Sequence, residues 1–519
     1  MFLRPQRPTL LFVVLGLLAW TTPATAAQAA PAAQPNIVII LADDLGYGDL
    51  GCYGATRVKT PHIDRLARDG RRFTDGHCTS ATCTPSRYAL MTGRYPWRRP
   101  GTQILPGDAA LIVDTDRVTL PAMLRRAGYT TGCVGKWHLG LGSGELDWNQ
   151  EIKPGPLEVG FDYSFIIPAT VDRAPCVFVE DHRVANLDPG DPIAVSYVRQ
   201  VGDEPTGRAH PELLRTKLSH GHDGTIVGGI SRIGFMSGGK AARWNDETVA
   251  DTLAEKAIAF VERSRRPSTS TSTAVKRPFF LYLATHDVHV PRTPHPRFAG
   301  RSGCGTRGDV IEEFDDTVGQ VLAALERLGV AGDTLVMLSS DNGAVLDDGY
   351  ADGAVSDLAG HRPSGPLKGG KYSSFEGGTR VPLVVRWPAR IEPGVSDALV
   401  SQLDWLASLA ALVGGEIPSD AGLDSQNQLP AFLGEDPRGR ETYVEQALGP
   451  PSLTLRSGPW KLIPAAARSK RPEYPPSGAS PELFDLRDDL GETSNLASRY
   501  PERVEAMQRQ LKVIVDAIH

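Results

Sequence analysis

Pro35-Asn36-Ile37-Val38-Ile39-Ile40-Leu41 is an apolar, largely β-branched run that stops abruptly at Asp43-Asp44. Such a run suits a strand buried on both faces, because a half-exposed strand alternates apolar and polar residues. The same event recurs along the chain. Thr130 to Val134 runs into Gly135-Lys136-Trp137-His138, and Phe279 to Ala284 into Thr285-His286-Asp287-Val288-His289. Thr334 to Leu338 runs into Asp341-Asn342-Gly343. Reactive polar residues directly after buried strands are what an open parallel α/β sheet gathers beyond its carboxyl edge, so these endings predict one shared site.

Helical segments lie between them. Ile311, Phe314, Val318, Val321, Leu322 and Leu325 keep a helical period, with Gly329 as a stop. Ile63 to Ala67 and Leu120 to Ala127 read as shorter helices, each followed by a glycine. Strands alternating with helices predict an α/β fold, a doubly wound, mostly parallel sheet flanked by helices. Residues from about Gly142 to Lys240, rich in Gly, Pro and Asp, read as long loops that shape a pocket. Pro267-Ser268-Thr269-Ser270-Thr271-Ser272-Thr273 reads as a low-complexity surface loop. From Arg438 the texture changes. Thr442 to Glu445, Ser452 to Arg456 and Trp460 to Ile463 read as short strands, and Pro501 to Ile518 as a closing amphipathic helix. The expected division is an α/β domain over 35–437 and a small α+β subdomain over 438–519.

The chain has 519 residues, 41% hydrophobic and 22% charged, which excludes a coiled coil, a disordered chain and a multispanning membrane protein. Its net charge of -6 argues against nucleic acid or an anionic membrane as the main partner. Arg4, Arg7, the apolar run from Leu10 to Trp20 and Ala24-Thr25-Ala26 read as a secretory signal over 1–26. No other apolar run is long enough to span a membrane, so the mature protein is expected to be exported, to a periplasm or the extracellular space. The six cysteines contain no Cys-x-x-Cys pair, which disfavours a zinc ribbon or thioredoxin-like site. Export permits disulfides, and the sequence does not choose among pairings.

The sharpest local signal is Cys83-Thr84-Pro85-Ser86-Arg87, followed by Leu90, Thr92, Gly93 and Arg94. Thr84 can cap a helix, Pro85 suits its first turn and Gly93 can end it. Cys83 then lies at a helix N-terminus, where a bare thiol is expected to be activated.

Cys-x-Pro-Ser-Arg with a downstream Leu-x-Thr-Gly-Arg resembles the maturation motif of the type I sulfatases of the alkaline phosphatase superfamily. The resemblance runs on to Pro459-Trp460-Lys461-Leu462 and Leu483-Phe484-Asp485-Leu486. It implies that a modifying enzyme oxidises Cys83 to formylglycine, whose hydrate attacks sulfur and then expels sulfate. It also implies that Arg87 holds the hydrate. Asp43, Asp44, Asp341 and Asn342 match the family's cation ligands, hard oxygen donors suited to Ca²⁺, with Mg²⁺ as the alternative. By the same resemblance Lys136 contacts sulfate and the hydrate, and His138 takes a proton during collapse. His289, rather than His286, protonates the leaving alcohol. Lys371, rather than Lys368, is the second sulfate-binding lysine. Thr170, after Ile167-Pro168, stands where the family often has a further hydroxyl.

For the substrate, His220 and His222 in Ser219-His220-Gly221-His222-Asp223 either bind sugar hydroxyls or serve the loop. Asp172, Arg173, His182, Arg292, His295 and His361 carry the same ambiguity. The long loops resemble those of sulfatases acting on sulfated sugars of polysaccharides or glycosaminoglycans. Two rivals stand beside a sulfatase. One is a phosphatase or phosphodiesterase of the same superfamily, which would offer Thr or Ser and two zinc ions. The other is a catalytically silent secreted glycan-binding relative.

Overall fold

The run at Ile37 forms the centre of a ten-stranded sheet. The structure is a computed structural model and describes residues 1–2, 8, 34–266, 277–448, 453–465 and 480–517. The apolar run at 10–20, the cleavage site at 24–26 and the loop at 267–273 lie outside the described residues. In chain order the strands are β1 (Asn36–Ala42), β2 (Arg71–Phe73), β3 (Thr130–Lys136), β4 (Tyr163–Ile167) and β5 (Val179–Glu180). They continue with β6 (Arg183–Val184), β7 (Phe279–Ala284), β8 (Thr334–Ser340), β9 (Leu383–Arg386) and β10 (Gly394–Ser396). Across the sheet the order is β10-β2-β9-β8-β1-β7-β3-β4-β5-β6. Strands β8, β1, β7, β3 and β4 are mutually parallel, and β9 and β5 run antiparallel to them on either side.

Both faces of β1 are buried, as its unbroken apolar run predicts. Ile37, Ile39 and Leu41 pack into one core and Val38, Ile40 and Ala42 into the other. Helices α1 (Pro61–Arg68), α2 (Cys83–Thr92), α3 (Leu120–Arg126), α4 (Val249–Arg265), α5 (Gly305–Arg327) and α6 (Trp405–Val413) supply the covering layers. Helices α2, α3 and α6 cover the Ile37 face through residues such as Leu90, Leu124 and Leu409. Helices α1, α4 and α5 cover the Val38 face through Leu66, Phe260 and Phe314. The sheet is thus doubly wound. Each fully buried Ile or Leu of these layers contributes about 1.5–3 kcal/mol.

One expectation needs correction. Strand β4 lies inside the stretch assigned to loops and pairs with β3 as a fifth parallel strand. Its apolar core, Phe165-Ile166-Ile167, is too short to carry a period, and only the neighbouring strand makes it β.

A second, antiparallel sheet holds β11 (Thr442–Gln446), β12 (Leu453–Ser457), β13 (Trp460–Ile463) and β14 (Glu482–Asp485). Helix α7 (Pro501–Asp516) closes over it through Val504, Met507 and Leu511. Both sheets belong to one compact unit, Pro35–His519. Among the described residues no helix is long and apolar enough to cross a membrane.

Candidate active site

Register brings the strand ends together. Ala42 pairs with Ser340, Leu41 with Ala284, and Ala284 with Gly135, so the residues just beyond these pairs are neighbours. The approach of β3 to β7 demands glycine. Gly135 has φ of +104°, and a Cβ there would lie 1.8 Å from the Ala284 carbonyl oxygen. This places Lys136 where its Nζ reaches Asp43 Oδ2 at 2.7 Å and Asp341 Oδ2 at 3.6 Å.

Three buried acids and three buried cations interlock here. Arg87 Nε donates to Asp341 Oδ2 at 2.9 Å, and its Nη1 donates to the Lys136 carbonyl at 2.9 Å. Lys371 Nζ lies 2.9 Å from Asp44 and 2.9 Å from Asp348 Oδ2. Asn342 Nδ2 donates to Asp44 Oδ1 at 2.7 Å. His289 Nε2 lies 3.9 Å from Asp44 Oδ2. Asp44, His138, His222 and Tyr372 all have positive φ, which costs a non-glycine residue energy and clusters at functional sites.

Burial and charge oppose each other in this group. Burial pushes the Asp43 carboxyl up to about 8 against the pull of Lys136, and raises Asp44 against Lys371. At Asp341 burial is outweighed by Arg87, Lys136 and Lys371, which hold it below the usual carboxylate range. Burial, helped by Lys136, holds His138 well below the ordinary imidazole value. Burial, helped by Lys371, does the same to His289. Against burial, Asp348 and Asp44 raise Lys371 well above a free lysine.

The residues fit a hard cation. Asp43 Oδ1 and Asn342 Oδ1 are buried oxygens with no hydrogen-bond partner among the described residues. They stand beside Asp44 and Asp341, so the donors on offer are carboxylate and amide oxygens, the chemistry Ca²⁺ and Mg²⁺ select. Asp43, Asp44 and His289 also bring ligand atoms within 4.8 Å of one another.

Helix α2 departs from expectation in two respects. It begins at Cys83 with Thr82 in the capping position, and Thr84 lies in the first turn, donating from Oγ1 to the His138 carbonyl at 3.1 Å. Thr84 therefore ties the helix to the end of β3 rather than capping it. The thiol is not activated either: burial raises Cys83 above the ordinary thiol range and outweighs Lys136 and Lys371. Gly93 ends the helix at φ of +62°.

A cleft of about 710 Å³ joins Cys83, His289 and Lys371 to His220, His222, Asp172 and Arg173. His222 Nε2 lies 2.9 Å from Asp172 Oδ2, whereas His220 is exposed on the rim. Thr170 is buried, bonded to Asp172 and Arg173, and does not line this cleft. The remaining polar candidates are structural. His361 Nε2 and Arg307 share Asp49, at 2.7 and 2.6 Å. Arg292 binds Asp352 and the carbonyls of Val288, Val345 and Leu346. His182 pairs with Glu158, and His295 lies 4.0 Å from Asp251. Lys368 donates to the Glu492 carbonyl and covers the Phe375 ring. Asp348 and Tyr372, also in the cleft wall, escaped the sequence reading; the Asp347-Asp348 pair is a signal only once a fold sets it beside Lys371.

Comparison with known proteins agrees with this geometry. The sulfatase family model matches residues 35–415. An N-acetylgalactosamine-6-O-sulfatase of Bacteroides thetaiotaomicron is 51% identical over 487 residues, covering 93% of each chain. Bovine arylsulfatase A is 34% identical over 518 residues, 95% of this chain and 90% of its own. A solved structure from work on glycosaminoglycan metabolism by Bacteroides thetaiotaomicron superposes with a TM-score of 0.88 at 50% identity, covering 93% of this chain and 99% of that one. With Cys83, His289 and Lys371 opening into one cleft and Lys371 ion-paired to Asp44 behind it, the chain belongs to the sulfatase family and is a sulfuric ester hydrolase.

Proposed function

We propose that this enzyme removes a 6-O-linked sulfate from N-acetylgalactosamine in a sulfated glycan. The nucleophile is the Cys83 position after conversion to formylglycine, beside one Ca²⁺, with Mg²⁺ as the alternative. The observation that carries the reading is Cys83 opening into the same cleft as His289 and Lys371, in a chain 51% identical to an N-acetylgalactosamine-6-O-sulfatase. The cleft's Asp172, Arg173 and His222 offer both donors and acceptors, as recognition of sugar hydroxyls requires.

Formylglycine as its hydrate supplies a nucleophilic hydroxyl and a second hydroxyl whose deprotonation releases sulfate. A cation held by Asp43, Asp44, Asp341 and Asn342 supplies charge neutralisation at sulfate oxygens. The chain's own groups do the rest. Lys136 and Lys371 flank the Cys83 position and neutralise the incoming ester. Arg87, bridging Asp341 and the Lys136 carbonyl, fixes their relative positions. His138 Nε2 donates to the Leu105 carbonyl, 2.9 Å away, which leaves Nδ1 as the basic nitrogen, buried and without a partner among the described residues. Nδ1 therefore accepts the hydroxyl proton. His289 Nδ1 donates to the Val290 carbonyl at 2.7 Å, leaving Nε2 on the Asp44 side. An anionic ester beside Nε2 raises its proton affinity, so His289 gains a proton with substrate and passes it to the leaving oxygen.

The same reading takes 1–26 as an export signal, 35–437 and 438–519 as the two parts of the mature chain, and the periplasm or extracellular space as its address. A formylglycine-generating enzyme acts on Cys83 during maturation.

Two measurements test the proposal. In protein from its natural host, the tryptic peptide spanning Phe73 to Arg87 is expected to be lighter than its thiol form by about 18 Da. Free N-acetylgalactosamine 6-sulfate is expected to release sulfate far faster than the 4-sulfate. An intact thiol in active protein removes the nucleophile assignment, and a preference for the 4-sulfate removes the linkage assignment.

A further inference from the structure

None of the described residues of the C-terminal sheet lines the cleft, yet that sheet grips the segment carrying Lys371. Lys461 of β13 is 0% exposed. Its Nζ lies 2.9 Å from Glu376 Oε1, 3.0 Å from Glu445 Oε2 of β11 and 3.4 Å from Glu492 Oε1. Arg456 Nη1 of β12 lies 3.3 Å from Glu376 Oε2. Glu492 Oε2 accepts the Glu376 backbone N–H at 2.7 Å. Glu376, also 0% exposed, opens a single helical turn, Glu376–Thr379, shortly after Lys371. We propose that Lys461 and Glu376 are positioning residues for the sulfatase reaction, holding Lys371 at its place in the cleft from outside it.

The path from Glu376 to Lys371 is short and stiff. The Gly377 N–H donates to the Lys368 carbonyl at 2.8 Å, so residues 368–377 close a loop with Lys371 inside it and Glu376 at its neck. Within the loop the Ser373 N–H donates to the Gly370 carbonyl at 3.0 Å. The neck is pressed against the residues after β8: a Cβ on Gly343 would lie 1.8 Å from the Gly377 carbonyl oxygen. A displaced Glu376 therefore moves the loop as a body. The sheet touches the loop a second time. The Leu448 N–H, just beyond β11, donates to the Tyr372 carbonyl at 3.3 Å. The Tyr372 N–H donates to the Ala81 carbonyl at 2.7 Å, and the Ala81 N–H to the Gln446 carbonyl at 2.7 Å. The end of β11 thus joins the lead-in to Cys83 with the residue after Lys371.

Stability alone does not call for charge here, because apolar groups of similar volume often replace a buried ion pair at no cost. Ion pairing adds a fixed placement, since each partner is satisfied only at one distance and angle. Burial opposes ionisation of Glu376, but Lys461, Arg456 and Arg380 outweigh it and hold its carboxyl well below the ordinary carboxylate range. The anchor is therefore charged at any pH near neutrality.

The inference rests on Lys371 binding sulfate, as proposed above. Its test is the hydrolysis of N-acetylgalactosamine 6-sulfate and the melting temperature of Glu376→Gln, Lys461→Met and Lys461→Arg. Glu376→Gln keeps the side chain's volume and guards against a Lys461→Met that does not fold. Glu376→Gln and Lys461→Met are expected to raise KM roughly tenfold or more, with partial recovery in Lys461→Arg. Loss of folded enzyme alone would lower the apparent kcat and leave KM unchanged. That result, a KM within about twofold of wild type, or failure of all three variants to fold overturns the positioning role. In a Lys371→Ala background Glu376→Gln is expected to change kcat/KM by less than about twofold; a full further loss would route the effect around Lys371 and overturn it too. Lys371→Ala with wild-type kinetics would instead remove the parent reading of Lys371. If the wild type does not hydrolyse this ester, the substrate reading fails. Equilibrium dialysis with radiolabelled inorganic sulfate then compares the same variants, and a Kd weaker by roughly tenfold is expected, an unchanged one overturning the role.

Discussion

Asp348 holds Lys371 by its side-chain nitrogen: Oδ2 and Nζ are 2.9 Å apart, and the other Asp348 oxygen accepts from Tyr372 OH at 3.0 Å. The lysine is thereby fixed between Asp348 and Asp44 in the wall of the cleft that Cys83 opens into, rather than free to wander. Asp348→Ala leaves the charge on Lys371 but not its placement. Loss of kcat/KM on the order of 10²-fold is expected, measured by sulfate release under subsaturating substrate. Activity within twofold of wild type would show that Asp44 alone suffices.

Burial raises the Asp43 and Asp44 carboxyls against the pull of Lys136 and Lys371, while Arg87, Lys136 and Lys371 hold Asp341 ionised, so charging all three carboxylates without a cation is costly. Chelation with EGTA and EDTA is therefore expected to abolish turnover and lower the melting temperature together. Adding Ca²⁺ is expected to restore both. Turnover that survives exhaustive chelation, with no metal detected by elemental analysis, would sink the cation assignment.

Asp49 receives Arg307 through both of its oxygens, at 2.6 Å each, and His361 at 2.7 Å. All three are buried, and Arg307 also reaches the Asp44 carbonyl at 3.4 Å. Asp49→Ala strands a guanidinium in the core behind the site. A loss of about 3–5 kcal/mol in denaturant unfolding is expected. A shift below about 1 kcal/mol would mean that water replaces the carboxylate.

Asp404 offers a pH test. Burial raises its carboxyl from 3.8 to about 6, against the pull of Arg440. The folded state thus holds a proton that the unfolded chain has released. The stabilising contribution is full below pH 4 and is lost as pH rises through 6, on the order of 3 kcal/mol in all. Asp404→Asn is expected to flatten this part of the stability profile between pH 4 and 7. An unchanged profile would show that Arg440 keeps Asp404 ionised throughout.

Much of this was legible because it is local. β1, β3, β7 and β8 announce themselves as apolar runs, and the reactive groups follow each run directly. The segment from Cys83 to Arg94 is a contiguous motif. Asp348 was not legible, because its meaning comes from Lys371, a loop partner with no periodic relation to it. β4 was missed because five residues become a strand only against β3. The direction in which Cys83 is shifted was misread because burial, which raises it, depends on the whole cleft rather than on the turn before α2.

None of the six cysteines is bonded to a second sulfur, and all but Cys52 are buried. No disulfide therefore ties the elements of this structure together, and its two sheets hold by packing and hydrogen bonding. Under the proposed function the sulfur chemistry of the protein is confined to Cys83 and comes from a modifying enzyme that recognises the peptide around it. Active yield in a heterologous host is then expected to follow how much of that enzyme is supplied.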